Sequence, residues 1–145
     1  MIRQASPADA AAVAALSVRL WPDHTLDEMT AAFAALLSSR DAAVFLAEVD
    51  EVPVGFAQCQ LRRDYVEGAT GSPTGYLEGI YVAPEHRRRG CAAQLLAACR
   101  NWAKAQGCLE FASDCEIDNL ASLAFHLHAG FMEASRNIHF ISKLK

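Results

Sequence analysis

Val13, Leu16, Ser17 and Leu20 fall on one side of a repeat of about 3.6 residues, and Met29, Phe33, Leu36 and Leu37 do so again a little later. The first quarter of the chain therefore predicts two short helices. Each has a start signal. Ser6, Pro7 and Asp9 supply a capping hydroxyl, a proline at the first helical position and an acid three residues after the cap; Thr25 and Glu28 repeat the capping pair. From Ala43 the apolar residues run together and become β-branched, over Ala43–Val49 and Val54–Leu61, with a turn at Asp50–Pro53 that predicts a hairpin. A polar loop from Arg62 to Pro73 leads to a third strand, Tyr76–Val82, which stops at Pro84 and carries Gly79 as the sign of a bulge. The longest helix follows from about Gly90 to Gln106, with Leu95, Leu96, Cys99 and Ala103 on its inner face and Gly107 as its stop. A buried strand over Cys108–Ser113, a helix over Asn119–Ala129, and two last strands near Phe131–Ser135 and Ile138–Ser142 complete the pattern. The order β α α β β β α β α β β implies a mixed α/β sheet covered by helices, in three layers.

The 145 residues, 52% of them hydrophobic and 21% charged, fit one domain spanning 1–145 with a core of its own. Thirteen Lys and Arg against seventeen Asp and Glu give a net charge of -4, which disfavours nucleic acid and anionic membrane as partners and favours cationic ones. No apolar run approaches the roughly 18 residues a membrane span needs. The five cysteines are odd in number and scattered, so they read as reduced thiols of a cytoplasmic protein. His126 and His128 are two positions apart and cannot share a helical face, so no metal site is expected.

The chemistry concentrates in Pro84–Ala93, between a strand end and a helix start. A turn there exposes backbone N–H groups at the positive end of a helix, a seat for phosphate, with Arg87, Arg88 and Arg89 adding charge and Gly90 letting the backbone approach an anion. On the later helix, Asn119, Ser122 and His126 form a polar stripe beside an apolar one. Glu78 sits inside an otherwise apolar strand, where a carboxylate is costly unless it faces a cleft or a charged partner. Asp114 closes a buried strand at the end where ligands gather in open α/β sheets.

Arg87-x-x-Gly90-x-Ala92, after a strand ending in Val82, resembles the acetyl-CoA loop of the GNAT superfamily of N-acetyltransferases, and Asn119 followed by Phe125, His126, Gly130 and Phe131 resembles its coenzyme-contacting helix. The resemblance covers nearly the whole chain. It implies a three-layer α/β/α fold with a mixed, mostly antiparallel sheet of about six to seven strands splayed at a bulge. It also implies acetyl-CoA as co-substrate and no metal. Its pyrophosphate would lie on the amides of Arg88, Arg89, Gly90, Cys91, Ala92 and Ala93, with Arg87 beside them, and its pantetheine on Ile80, Tyr81 and Val82. His126 stands where many relatives place the tyrosine that protonates the coenzyme thiolate; it either donates that proton, packs against the pantetheine or caps a backbone carbonyl.

A narrower resemblance is to the chromosomal aminoglycoside 6'-N-acetyltransferases. It rests on Trp21, Pro22 and His24, on Asp64–Gly68, on Gly75–Gly79, and on Glu110–Asp114. It implies a polycationic amine substrate and a homodimer. Trp21, His24, Tyr65, Glu78, Asp114 and Ser135 would then meet the substrate, with Asp114 or Glu78 as the base, although Trp21 is equally placed to be a core residue between the first two helices. Ser135 and Arg136 stand where the relatives place an acid, with Glu133 nearby. Two other readings stay open: an acetyltransferase for another amine, such as a polyamine or a peptide N-terminus, and a non-catalytic acetyl-CoA-binding module.

Overall fold

Capping and turn chemistry set the element boundaries. In the computed structural model, which describes residues 1–145, the Asp9 carboxylate accepts from Ser6 N–H at 2.8 Å, and Thr25 Oγ1 accepts from Glu28 N–H at 3.1 Å. The two helices that follow are α1 (Ala10–Leu20) and α2 (Leu26–Leu36), after a first strand β1 (Ile2–Gln4). The hairpin of β2 (Ala42–Val49) and β3 (Val52–Arg62) turns through Asp50 and Glu51, both at positive φ (51° and 64°), the combination a two-residue hairpin turn needs. Then come β4 (Thr74–Val82), α3 (Cys91–Ala105), β5 (Phe111–Ser113) and α4 (Leu120–His128). The strands lie side by side in chain order, antiparallel up to β4 and parallel between β4 and β5, whose connection through α3 is long enough for the crossover.

Both faces of the sheet are covered, which is why β2 reads as an unbroken apolar run. Val44, Leu46 and Phe56 face α1 and α2, packing against Val13, Met29 and Phe33; Phe45, Ala57, Cys59, Leu77 and Val82 face α3 and meet Leu95, Leu96 and Cys99. Phe56 is fully buried, edge-on to Phe33 at 6.2 Å and to Trp21 at 6.0 Å. All five cysteines are free thiols, and no helix is long and apolar enough to cross a membrane.

The bulge falls one residue before the glycine that marks it. Gln58 pairs with Gly79 and Cys59 with Leu77, so Glu78 is the extra residue. The insertion resets the alternation of β4, so that Gly79 faces α1 while Leu77 and Val82 face α3.

Two expectations are corrected. The sheet has five strands, not six to seven, because neither Phe131–Ser135 nor Ile138–Ser142 forms a strand. A strand needs a neighbouring backbone, and this segment finds none in its own chain; Met132, Ile138, Phe140, Ile141 and Leu144 stand between 79% and 95% exposed. The strand expected from Cys108 begins only at Phe111, because Cys108 N–H is taken by Ala103 O (3.0 Å) in closing the end of α3.

Candidate active site

The β4–β5 ladder holds for three residue pairs, Gly75 with Phe111, Tyr76 with Ala112 and Leu77 with Ser113, and then stops. β4 continues to Val82 against β3 alone. Its other edge is therefore open from Glu78 onward. Ala83 N–H donates to Val54 O at 2.8 Å, and Tyr81 O also faces β3, 2.8 Å from where a Cβ on Gly55 would stand. Alternation along the strand turns the N–H and C=O groups of Ile80 and Val82 toward the open edge.

At the head of this split the chain turns through Arg88 (φ 62°) and Gly90 (φ 83°) into α3. The first helical donor is Gln94 N–H, on Gly90 O at 3.0 Å, so the amides of Cys91, Ala92 and Ala93 have no partner inside the helix. No side chain caps them, and no acidic residue stands in the first turn. The donors and the helix dipole thus point at one place, where an anion fits. Arg87 does not point there: its Nε donates to Val82 O at 2.8 Å and its guanidinium lies 5.7 Å from the Tyr81 ring. Arg88 and Arg89 are exposed.

On the α1 side of the sheet, Glu78 and Asp114 belong to one connected cluster. Arg62 binds Glu78 with two nitrogens, at 3.0 and 2.7 Å, and its guanidinium lies 3.5 Å above the Tyr76 ring. The Tyr76 hydroxyl donates to Asp114. Burial, and then the hydrogen bond to Asp114, push the Tyr76 phenol well above its ordinary pKa, so it remains a donor at any working pH. The Glu78 hydrogen bond raises the Arg62 pKa in turn. Trp21 is half-buried with the six-membered ring of its indole against β4; a Cβ on Gly79 would sit 2.6 Å from it.

Three expected substrate residues lie apart from this cluster. His24 is exposed and pairs with Glu28 at 3.4 Å. Tyr65 is 82% exposed, its hydroxyl on Glu67 at 2.7 Å. Ser135 is exposed on the C-terminal segment, which passes the Tyr65 loop where Ala134 touches Gly68; Arg136 is tied back to Glu133.

His126 lies on the α3 side of the sheet, away from Glu78 and Asp114, because consecutive residues of β5 and its continuation point to opposite faces: Ser113 toward α4, Asp114 toward Tyr76. Its Nδ1 contacts Ser122 O at 2.7 Å and its Nε2 contacts Ser113 Oγ at 2.8 Å. Asn119 caps α4, its Oδ1 accepting from Ser122 N–H at 3.1 Å. Sequence reasoning misses Arg62, Tyr76 and Ser113. The first two become neighbours only through the β3–β4 register, which the long loop hides; Ser113 is an ordinary polar residue until the ladder end is known.

Residues 10–131 match the model of the acetyltransferase (GNAT) family. The chain belongs to that family. This GNAT acetyltransferase is 45% identical over 142 residues to an aminoglycoside N(6')-acetyltransferase type 1 of Stenotrophomonas maltophilia, covering 96% of this chain and 90% of that protein. It is 42% identical over 125 residues to the protein of the same name from Salmonella typhimurium, covering 86% of each. Among solved structures it superimposes on aminoglycoside N-acetyltransferase AAC(6')-Iy in complex with CoA at TM-score 0.95 and 38% identity, covering 99% of this chain and 95% of that one. The AAC(6')-Iy complex with the bisubstrate analog CoA-S-monomethyl-acetylneamine gives TM-score 0.94 at 38% identity, covering 99% and 98%.

The contact between Trp21 and Gly79 is open to direct test. Gly79→Ala should push the indole off β4, lowering stability by about 1–3 kcal/mol in urea unfolding and red-shifting tryptophan emission.

Proposed function

We propose that this GNAT acetyltransferase transfers an acetyl group from acetyl-CoA directly to the 6'-amine of an aminoglycoside. The observation that carries the reading is the split between β4 and β5, with anion-accepting amides at its head and two carboxylates, Glu78 and Asp114, on one side. The names of its relatives at 42–45% identity support it.

The turn fits a diphosphate without adjustment: its amides lack partners, and Gly90 already holds the left-handed conformation. Acetyl-CoA, when bound, supplies an acetyl thioester open to attack by an amine. Amides of residues 88–93, with the Arg88 and Arg89 side chains, hold the phosphates, while Arg87 braces the end of β4. The open-edge groups of Ile80 and Val82, with Tyr81 between them, hold the pantetheine arm, and one of those amides stabilises negative charge developing on the carbonyl oxygen. Asn119 shapes the start of the helix that flanks this side, and His126 is the source of the proton that the departing thiolate takes up.

Across the sheet, Glu78 and Asp114 receive the ammonium groups of the acceptor, and Trp21 gives its sugar rings a wall. Two carboxylates against one guanidinium leave the cluster one net negative charge. Glu78 is held at both oxygens by Arg62, so Asp114 is the better base, worth about 10²- to 10⁴-fold. Fixing the amine against the thioester contributes the rest, and no side-chain nucleophile is needed.

We further infer a homodimer. The segment from Met132 to Lys145 keeps a strand's apolar pattern while exposing it, and the sheet edge of a second copy supplies the neighbouring backbone that the segment does not pair with in its own chain. The free thiols fit a cytoplasmic protein.

Thiol release from acetyl-CoA with kanamycin, tobramycin, spermidine and a peptide tests the acceptor. Release with the aminoglycosides is expected; release with spermidine or peptide alone overturns the acceptor, and no release with any overturns the reaction in favour of a binding module. Glu78→Gln and Asp114→Asn should raise the acceptor KM by about 10- to 100-fold, the loss of a charge-assisted hydrogen bond, with the acetyl-CoA KM nearly unchanged. Sedimentation velocity should show a dimer that becomes a monomer when residues 132–145 are removed; a monomeric full-length chain contradicts the pairing.

A further inference from the structure

Ser113 occupies the last pair of the β4–β5 ladder, at the point where the split opens. Its hydroxyl lies within reach of two acceptors, His126 Nε2 at 2.8 Å and Leu77 O at 3.3 Å. A serine hydroxyl carries one hydrogen and can serve only one of them at a time.

The imidazole decides which. Nδ1 lies 2.7 Å from Ser122 O, a carbonyl that can only accept, so Nδ1 carries a hydrogen. In the neutral ring Nε2 is then a bare lone pair, and Ser113 Oγ–H donates to it. The ring plane is fixed by Phe131, with centroids 5.0 Å apart, and by Phe125, edge-on at 5.5 Å. Arg100 lies 4.8 Å over the Phe131 ring and donates to Ala129 O at 3.1 Å, holding that wall in place. A neutral His126 so held has no proton to give on the side that faces the split.

We propose that Ser113, and not His126 directly, delivers the proton to the departing thiolate, with His126 acting through it; this rests on the acetyl-transfer reading of the site. When the ring is an imidazolium, Nε2–H donates to Ser113 Oγ and the serine hydrogen turns to Leu77 O, in the last pair of the ladder where the split opens. Ser113 gives that hydrogen to the thiolate as Oγ takes the Nε2 proton, which leaves a thiol, a restored hydroxyl and a neutral imidazole. His126 is then recharged from solvent. Ser113 is thus the residue that touches the reacting sulfur, and His126 is its positioning and proton-supplying partner.

Two measurements test this independently. In protein labelled with ¹⁵N-histidine, with the His126 resonances assigned by loss in His126→Gln, the neutral ring should carry its proton on Nδ1. The Nε2 resonance should move toward the free-acceptor position in Ser113→Ala. A neutral ring protonated on Nε2 overturns the proposal, and this readout needs no acceptor or coenzyme, so it stands whatever becomes of the acetyl-transfer reading. In acetyl transfer, Ser113→Ala should lower kcat by about 10- to 100-fold with little change in the acetyl-CoA KM, and Ser113→Thr, which keeps the hydroxyl, should recover most of it. The Ser113→Ala/His126→Ala double variant should lose no more than His126→Ala alone, as for two residues acting in series. Independent, additive losses overturn the relay, as does a full kcat in Ser113→Ala. Should Ser113→Ala fail to fold, the same comparison is read from Ser113→Thr and Ser113→Cys, and a cysteine variant as active as the threonine one overturns the need for a hydroxyl.

Discussion

Two parallel strands remain together only while each finds the other's backbone groups, and here that condition ends after three residue pairs. The open edge of β4, on which the proposed site rests, follows from where the ladder stops. Up to Leu77 and Ser113 the sheet is a packed layer between helices. Beyond them β4 keeps β3 on one side and has an open edge on the other, so peptide groups that would otherwise bond to a strand are available to a ligand. The bulge at Glu78 contributes to the same event, because it breaks the alternation of β4 at the residue where β5 departs.

The sheet also divides the chemistry. Side chains leave consecutive strand positions on opposite faces, so Asp114 joins Tyr76, Arg62 and Glu78 on the α1 side while Ser113 meets His126 on the α4 side. The acidic cluster on one face and the unpartnered amides at the start of α3 are separated by a layer of backbone. Two apolar clusters hold this layer, around Phe56 on one side and around Leu95 and Leu96 on the other.

Much of this was legible before any coordinates. Gly90 after three arginines, placed between a strand and a helix, marks the turn whose unpartnered amides begin α3, and the isolated Glu78 points to a cleft or a charged partner, of which the structure supplies Arg62. The capping residues Ser6 and Thr25 marked both early helices to within a few positions. Other features depend on register and could not be read. Arg62 and Tyr76 meet across a loop whose length hides the pairing, and Arg87, one of three similar arginines, is distinguished from its neighbours only by its bond to Val82 O. The C-terminal segment shows the reverse: its apolar pattern predicts two strands, but a pattern makes a strand only when it pairs with an edge, and residues 132–145 pair with none in one chain.

Residue-resolved amide hydrogen exchange by NMR, with and without coenzyme A, tests the open edge most directly. In the free protein the amides of Ile80 and Val82 should exchange far faster than that of Tyr81, which faces β3, and coenzyme A should slow them together with those of Cys91, Ala92 and Ala93. If Ile80 and Val82 are as protected as Tyr81 in the free protein, or if coenzyme A protects a different part of the chain, the account of the split is wrong.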